Sequence, residues 1–415
     1  MWLDNEEKAL SNLKKRISLC SRGITMPEKS NSALHFQSNV GFAGPQGTSC
    51  YVGNAPGDHS NQISLSIFPR DHYLAQYALS TEWYENNEQD ESGKKEKILY
   101  AKNDTYLEQV PVNWKGTLSD GRKSNILSKK RFHPYGTFCM GNYWYCRHIE
   151  QNEGCKYCTI NLSVQRLNFS KWMRDEDNLN YLKLAISKNS IRSVTLTSGT
   201  FESPERTGRE LLSLARQIRE ETGLSVHVQI EPVFDRSLLK ELSEVADSIA
   251  IFLEFFDENV RKKICPGKSR VNSQEDYQKS WEMAVSYFGW GKVVTSNIIG
   301  FDEDYDVILK GVERAAKIGV VSTIQWLRVG NPLLGNIVPS YIGKEDEVLE
   351  LHQEMGKILV ENSADNISFK NSGCLGCLGC QATREAVKWA RIASVKMKSK
   401  LFRQLSGPNY AQPGL

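Results

Sequence analysis

The sequence predicts an α/β protein built on a parallel sheet or barrel of six β/α repeats, and three observations carry that expectation. From about Tyr135 onward, short apolar segments alternate with amphipathic ones in the β/α order of a parallel sheet. The helical segments carry an apolar stripe at helical spacing, as in Tyr277, Trp281, Ala284, Val285 and Phe288. Polar and acidic residues recur where the strands should end, which is where barrel folds place their chemistry. A chain of 415 residues has room for one such unit with extensions on both sides. The expected division is an N-terminal α+β region (1–130), the barrel (131–335) and a helical C-terminal extension carrying a cysteine loop (336–415).

In the first region a helix is expected from Glu7 to Ile17, followed by loops at Gly41 to Gly47 and Gly53 to Gly57. No Lys-Ser or Lys-Thr follows those glycines, so they read as turns and not as a phosphate loop. Ser64 to Phe68 predicts a strand, Asp71 to Trp83 a short helix, and the polar run Glu85 to Lys97 a solvated loop. Val110 to Trp114 and Gly116 to Gly121 suggest a hairpin turning at Ser119-Asp120-Gly121.

The repeats open with a strand near Thr137 to Tyr145, a cysteine loop and a helix from Trp172 to Lys188. Strands follow at Ser193 to Thr197, His227 to Ile230, Ser248 to Phe252, Val293 to Ile298 and Val320 to Leu327. The helices between them are Thr207 to Glu221, Ser237 to Val245, Gln274 to Phe288 and Tyr305 to Ile318. Two more helices, Asp346 to Glu361 and Thr383 to Phe402, flank a second cysteine group.

A net charge of +3 in a chain of mixed charge gives no electrostatic case for nucleic acid, and no basic stripe with interleaved aromatics is present. A small-molecule substrate is the default. No apolar run reaches the length of a bilayer span, and the N-terminus lacks a signal-peptide pattern, so the expectation is a cytoplasmic protein with no membrane partner.

Ten cysteines are present, and six of them fall into two tight groups, which argues for metal binding. Cys20, Cys50, Cys139 and Cys265 are scattered and read as small buried residues. The first group is Cys146-x8-Cys155-x2-Cys158, with Tyr157 directly before the last cysteine. Soft thiolates select zinc, copper(I) or iron-sulfur clusters; three without an obvious fourth partner suit a [4Fe-4S] cluster with one open iron. Structural zinc completed by His148 or Cys139 is the alternative. The second group is Cys374-Leu375-Gly376-Cys377-Leu378-Gly379-Cys380, whose glycines let the backbone turn so that three sulfurs converge. Here a second cluster, a thiophilic substrate site and structural zinc all remain open.

The open three-cysteine loop after strand one, followed by six β/α repeats, resembles the radical S-adenosylmethionine (SAM) superfamily, whose members use a partial (β/α)6 TIM-like barrel. Most members space these cysteines C-x3-C-x2-C. The longer first gap is similar to that of a minority, including the catalytic subunit of the tRNA-modifying elongator complex. Thr197-Ser198-Gly199-Thr200 looks like the superfamily's glycine-rich turn for SAM's amino group, with Thr200 where an acidic residue is usual. The resemblance assigns Glu231 and Glu254 to SAM's ribose and amino-acid part, Asn297 and Ile299 to the adenine turn, and Trp326 and Arg328 to the adenine site or substrate pocket. A closer likeness covers roughly residues 135 to 335. Glu231-Pro232, Val260-Arg261 with Pro266-Gly267-Lys268, and Phe288 to Val293 resemble biotin-synthase-like radical SAM proteins encoded near nitrilase genes. On that likeness Arg261 joins the cofactor-binding set.

The resemblance implies that Cys146, Cys155 and Cys158 hold an oxygen-sensitive [4Fe-4S] cluster at which SAM is reductively cleaved, beginning a radical reaction on a small molecule. It also implies an electron donor such as flavodoxin or ferredoxin. The closer likeness does not explain Cys374, Cys377 and Cys380, for which the expectation from the residues is a second iron-sulfur cluster that donates sulfur, relays an electron or binds substrate, or a site for a thiophilic substrate. Other expectations are aminocarboxypropyl transfer from SAM to a thiophilic substrate, tRNA modification, or a non-catalytic zinc-stapled binding protein. No acid/base pair is required for SAM cleavage, and His148 and His227 are read as ordinary residues.

Overall fold

The structure is a computed structural model. It describes residues 2–22 and 136–405, apart from 161–171, 189–190, 329–332, 336, 369–370 and 378, and only strand segments between those two stretches. Helix α1 (Trp2–Arg22) leads into an N-terminal sheet of β1 (Ile24–Thr25), β2 (Ser49–Gly53), β3 (Ile63–Phe68), β4 (Trp83–Gln89), β5 (Lys95–Ala101) and β6 (Thr105–Leu107), in the order β1-β3-β2-β6-β5-β4. The short strands β7 (Gly116–Thr117) and β8 (Lys123–Ser124) pair with each other, as the hairpin reading requires. The run Glu85 to Lys97 is not a loop throughout, because β4 and β5 pair antiparallel with Trp83 opposite Ala101 and Gln89 opposite Lys95. Its side chains are polar on both faces, so the period-two pattern of a half-buried strand is missing. Most of the helix expected over Asp71 to Trp83, and the strand expected at Val110 to Trp114, lie outside the described residues, while Trp83 itself opens β4.

The barrel sheet contains β9 (Phe132–His133), β10 (Thr137–Met140), β11 (Ser193–Thr197), β12 (Ser225–Ile230), β13 (Ser248–Ile251), β14 (Val293–Ile299) and β15 (Val320–Trp326), hydrogen-bonded in sequence order. All neighbours from β10 to β15 are parallel; β9 adds an antiparallel edge. This is a partial (β/α)6 TIM-like barrel. The connecting helices are α2 (Arg147–Glu150), α3 (Asp175–Lys188), α4 (Pro204–Thr222), α5 (Arg236–Val245), α6 (Glu258–Ile264), α7 (Pro266–Val271), α8 (Gln274–Phe288) and α9 (Tyr305–Lys317). Their starts are chemically marked. Ser203 caps α4 ahead of Pro204, Asp235 caps α5, and Ser273 with Asp276 forms a capping box on α8.

Two results differ from the expected elements. The first barrel strand ends at Met140, because Gly141 then lies so close to β11 that a Cβ there would sit 1.9 Å from the Thr197 carbonyl oxygen. The short helices α6 and α7 fill what read as a plain connection after β13.

Beyond the barrel come α10 (Glu345–Glu361), α11 (Gly373–Cys377) and α12 (Thr383–Leu405). Helix α1 packs on α10 and α12. Arg16 Nε donates to the Gln381 carbonyl at 2.7 Å, and Trp326 Nε1 donates to Ser21 Oγ at 3.1 Å. Among the described residues no helix is long and apolar enough to cross a membrane.

Candidate functional site

The first cysteine loop is fastened to the turn after β11. Cys146 precedes α2, and Arg147 N donates to the Thr200 carbonyl at 2.8 Å. Gly199 N donates to the Tyr143 carbonyl at 3.2 Å, and Tyr143 N donates to Ser198 Oγ at 3.2 Å. A Cβ on Gly199 would lie 1.7 Å from the Tyr145 carbonyl oxygen and 2.9 Å from Cys146 Cβ, so only glycine permits this approach. Cys155 and Cys158 share a turn in which Cys158 N donates to the Cys155 carbonyl at 3.0 Å. Tyr157, between them, is buried edge-on against Phe255 with ring centroids 6.2 Å apart.

Burial pushes the Cys146 thiol up to about 12, and the neighbouring Glu231, Cys155 and Cys158 push it the same way. Cys155 is raised well above the ordinary thiol value by its hydrogen bond to Cys265 and by burial. Binding of a metal ion to such thiols would displace their protons into solvent.

Glu231, after β12, is the hub of a buried polar cluster. Its carboxylate oxygens lie 3.0 and 3.2 Å from His148 Nε2, and Thr200 Oγ1 donates to the same carboxylate. Burial would raise the Glu231 pKa, but the His148 hydrogen bond, the Lys268 charge and Thr200 outweigh it and hold the group at about 2. Among the described residues, Cys146, His148 and Glu231 form the one group of three metal-ligating side chains whose donor atoms lie within 4.8 Å of each other. His148 is thus not an ordinary residue, and its place two residues after Cys146, the reason it could complete a zinc site, was the available signal.

Glu254, after β13, has a positive φ of 75°, a conformation that non-glycine residues rarely adopt and that clusters at functional sites. The strain is held by the β14 backbone: Glu254 N donates to Ser296 O at 3.1 Å and Ile298 N donates to Glu254 O at 2.8 Å. Lys268 Nζ pairs with Glu254 Oε1 at 3.0 Å, both side chains being largely buried. Asn297 Oδ1 accepts from Phe256 N at 2.8 Å, and Ile299 is fully buried. The turn that follows is pinned by Glu303, which accepts from Gly300 N and Phe301 N, each at 2.7 Å.

Three other sequence-assigned residues sit elsewhere. Arg261 donates to the carbonyls of Asn272 (2.7 Å) and Lys268 (3.3 Å) and lies over the Tyr277 ring at 5.0 Å, so it ties α6 to α7 and α8. Trp326 stacks on His352 of α10 with centroids 5.0 Å apart. Arg328 is buried and stands in electrostatic contact with Cys380, Cys20 and Tyr341.

The second cysteine group docks on the barrel. Helix α11 contacts β10, β11 and β12. His227 and Gln229 alternate along β12 with the buried apolar Val226 and Val228, so the two polar residues share the opposite face. Gln229 Nε2 donates to Cys374 Sγ at 3.3 Å, and Gly373 lies so near His227 that a Cβ would be 1.9 Å from its ring. Ser372 Oγ is 3.0 Å from Ser248 Oγ, which is 2.7 Å from His227 Nδ1. The group is not all loop, since Cys374 and Cys377 lie one turn apart on α11. Cys377 Sγ is 3.8 Å from His133 Nδ1. Burial raises all three thiols, Cys377 to about 12. Two of the scattered cysteines belong to this neighbourhood: Cys139 acts on Cys374, and Cys380 acts on Cys20.

Residues 152–315 match the sequence model of the radical SAM superfamily. A search of curated proteins found no match. Solved structures similar to this chain include methylornithine synthase (PylB), 16% identical with a TM-score of 0.42, over 62% of this chain and 71% of that one. The FeFe-hydrogenase maturase HydG from Carboxydothermus hydrogenoformans is 15% identical with a TM-score of 0.43, over 55% of this chain and 52% of that one. A radical SAM methyltransferase from Sphaerobacter thermophilus is 12% identical with a TM-score of 0.39, over 72% and 79%.

Proposed function

We propose that the chain is a radical SAM enzyme that holds a [4Fe-4S] cluster on Cys146, Cys155 and Cys158 and starts a radical reaction on a small molecule. The observation that carries the reading is the fastening of the Ser198-Gly199-Thr200 turn onto the Cys146 loop, with Glu231 beside both. It brings a candidate cluster ligand, a backbone turn and a carboxylate whose pKa is held low to one strand-end surface. Three half-buried thiols on one loop, beside Tyr157 and Phe255, are a soft donor set of the kind that suits an iron-sulfur cluster. When bound, such a cluster passes one electron to the sulfonium of SAM and so supplies the radical chemistry.

The chain's own residues bind and orient. Glu231, kept ionised by His148 and Lys268, accepts hydrogen bonds from SAM's ribose or ammonium. Lys268 and Glu254 offer one charge of each sign to SAM's zwitterionic amino-acid part. The turn from Asn297 to Phe301, braced by Glu303, presents backbone to adenine. Tyr157, Phe255 and Phe301 exclude water from this surface. We assign Cys374, Cys377 and Cys380 to a second iron-sulfur cluster, and a reductant of the flavodoxin or ferredoxin type as partner in the cytoplasm. The division at 130 and 335 serves as the working domain plan.

A second reading has its own support. Cys146, His148 and Glu231 already present sulfur, nitrogen and oxygen within 4.8 Å, a donor set that suits zinc. Anaerobic reconstitution followed by analysis of the SAM-derived product separates the readings. 5'-Deoxyadenosine formed only with reductant supports radical cleavage. Methylthioadenosine redirects the proposal to aminocarboxypropyl transfer, and a zinc-loaded protein that leaves SAM intact sinks it.

A further inference from the structure

Cys374, Cys377 and Cys380 leave a cluster one terminal ligand short of the four that [2Fe-2S] and [4Fe-4S] clusters take. The barrel sheet carries a candidate for the fourth. His133 of β9 pairs with Thr137 of β10, so it shares a face with Thr137 and, two residues on, with Cys139. The parallel register takes that face from Cys139 through Thr195 to His227, and strand periodicity takes it on to Gln229. The opposite face is apolar and buried at Phe138, Met140, Leu196 and Val228.

Helix α11 docks on the face that carries His133. Gln229 Nε2 donates to Cys374 Sγ at 3.3 Å, Gly373 stands against the His227 ring, and Cys377 Sγ lies 3.8 Å from His133 Nδ1. That last separation suits two ligands on one metal. With metal–sulfur and metal–nitrogen bonds of about 2.3 and about 2.1 Å, a tetrahedral centre sets the two donors about 3.6 Å apart. Among the described residues no third Cys, His, Asp or Glu donor atom lies within 4.8 Å of both. A closed one-metal site gathers all its donors in such a group, whereas a two-iron cluster takes them in pairs, one pair on each iron.

We infer that His133 is the fourth ligand of the centre held by Cys374, Cys377 and Cys380, sharing one iron with Cys377 in a [2Fe-2S] cluster while Cys374 and Cys380 take the other iron. The inference rests on the second-cluster assignment above and narrows it to two irons. A neutral imidazole in place of a thiolate removes one negative charge, so this cluster is easier to reduce than a four-cysteine one. The cluster then ties the antiparallel edge strand β9 to the C-terminal segment.

The test uses the full chain with Cys146, Cys155 and Cys158 changed to Ala, so that iron retained after anaerobic reconstitution reports the C-terminal centre. The expected result is about two irons per chain and, after one-electron reduction, imidazole nitrogen hyperfine coupling in pulsed electron paramagnetic resonance. His133→Cys should keep the iron, lose the coupling and shift the reduction potential downward. Should that variant not assemble, His227→Asn decides, because His227 is the other imidazole named on this face: retained coupling supports His133, and lost coupling overturns it. A centre with about four irons, or one without nitrogen coupling, overturns the role of His133 and leaves a second cluster standing. No iron in this background refutes the second cluster itself, and the role of His133 falls with it.

Discussion

Glu231 and Arg261 show what a sequence can and cannot say about a single residue. Motif position puts both in the cofactor-binding set; Glu231 meets His148 and Thr200 beside Cys146, and Arg261 is turned to the carbonyls of Lys268 and Asn272. Spacing gives a position on the chain and not the direction of a long side chain, which packing decides. Glu231→Gln should therefore weaken SAM binding about tenfold or more per folded chain, because hydrogen bonds to a charged acceptor are worth ~1.5–3 kcal/mol, and should also lower the melting temperature, since His148, Thr200 and Lys268 lose their buried anion. Calorimetric titration with SAM measures it. Arg261→Met should instead cost on the order of 3 kcal/mol of stability in urea unfolding with little effect on SAM affinity per folded chain.

Among elements, the regular β/α repeats were legible because each strand is apolar and each helix has a stripe; the expected bounds of β11 and α8 coincide with those observed. The polar hairpin of β4 and β5 and the short basic helices α6 and α7 were not, since none carries an apolar period long enough to read. The docking of α11 was likewise hidden. It depends on Gly373 meeting His227, two residues far apart in sequence whose contact is a matter of shape. Gly373→Ala combines a positive φ of 55° with a clash against that ring, and should release α11. The expected readout is faster alkylation of Cys374 and Cys377 in the metal-free protein, compared by mass spectrometry.

Helix α10 offers a pH test at the same scale. Burial lowers His352 from 6.5 to about 4 against a smaller opposing hydrogen bond to the Val348 carbonyl, and lowers His227 from 6.5 to about 3. Both rings stay neutral in the folded chain where the unfolded chain binds protons. Their contribution is complete above about pH 6.5 and is lost as pH falls toward 4 and then 3. His352 alone accounts for on the order of 3 kcal/mol. Urea unfolding of His352→Phe, which keeps a ring against Trp326, should show a shallower loss of stability between pH 6.5 and 4 than the parent.

For the whole molecule, the two cysteine groups address one barrel. Glu231 reaches the first group, and Gln229, two residues earlier on the same strand, reaches the second. That connection follows from strand periodicity, but only the fold shows that the C-terminal segment returns to β12. Helix α1 ties the assembly together through Arg16 at Gln381 and Ser21 at Trp326. The measurement that tests the central claim most directly is iron and acid-labile sulfide per chain after anaerobic reconstitution, for the parent and for Cys146→Ala. The account predicts a brown parent protein with broad absorbance at about 400 nm, and a variant that loses one cluster's share of iron and all reductive SAM cleavage. A colourless parent carrying zinc, or a Cys146→Ala protein with undiminished iron, would contradict it.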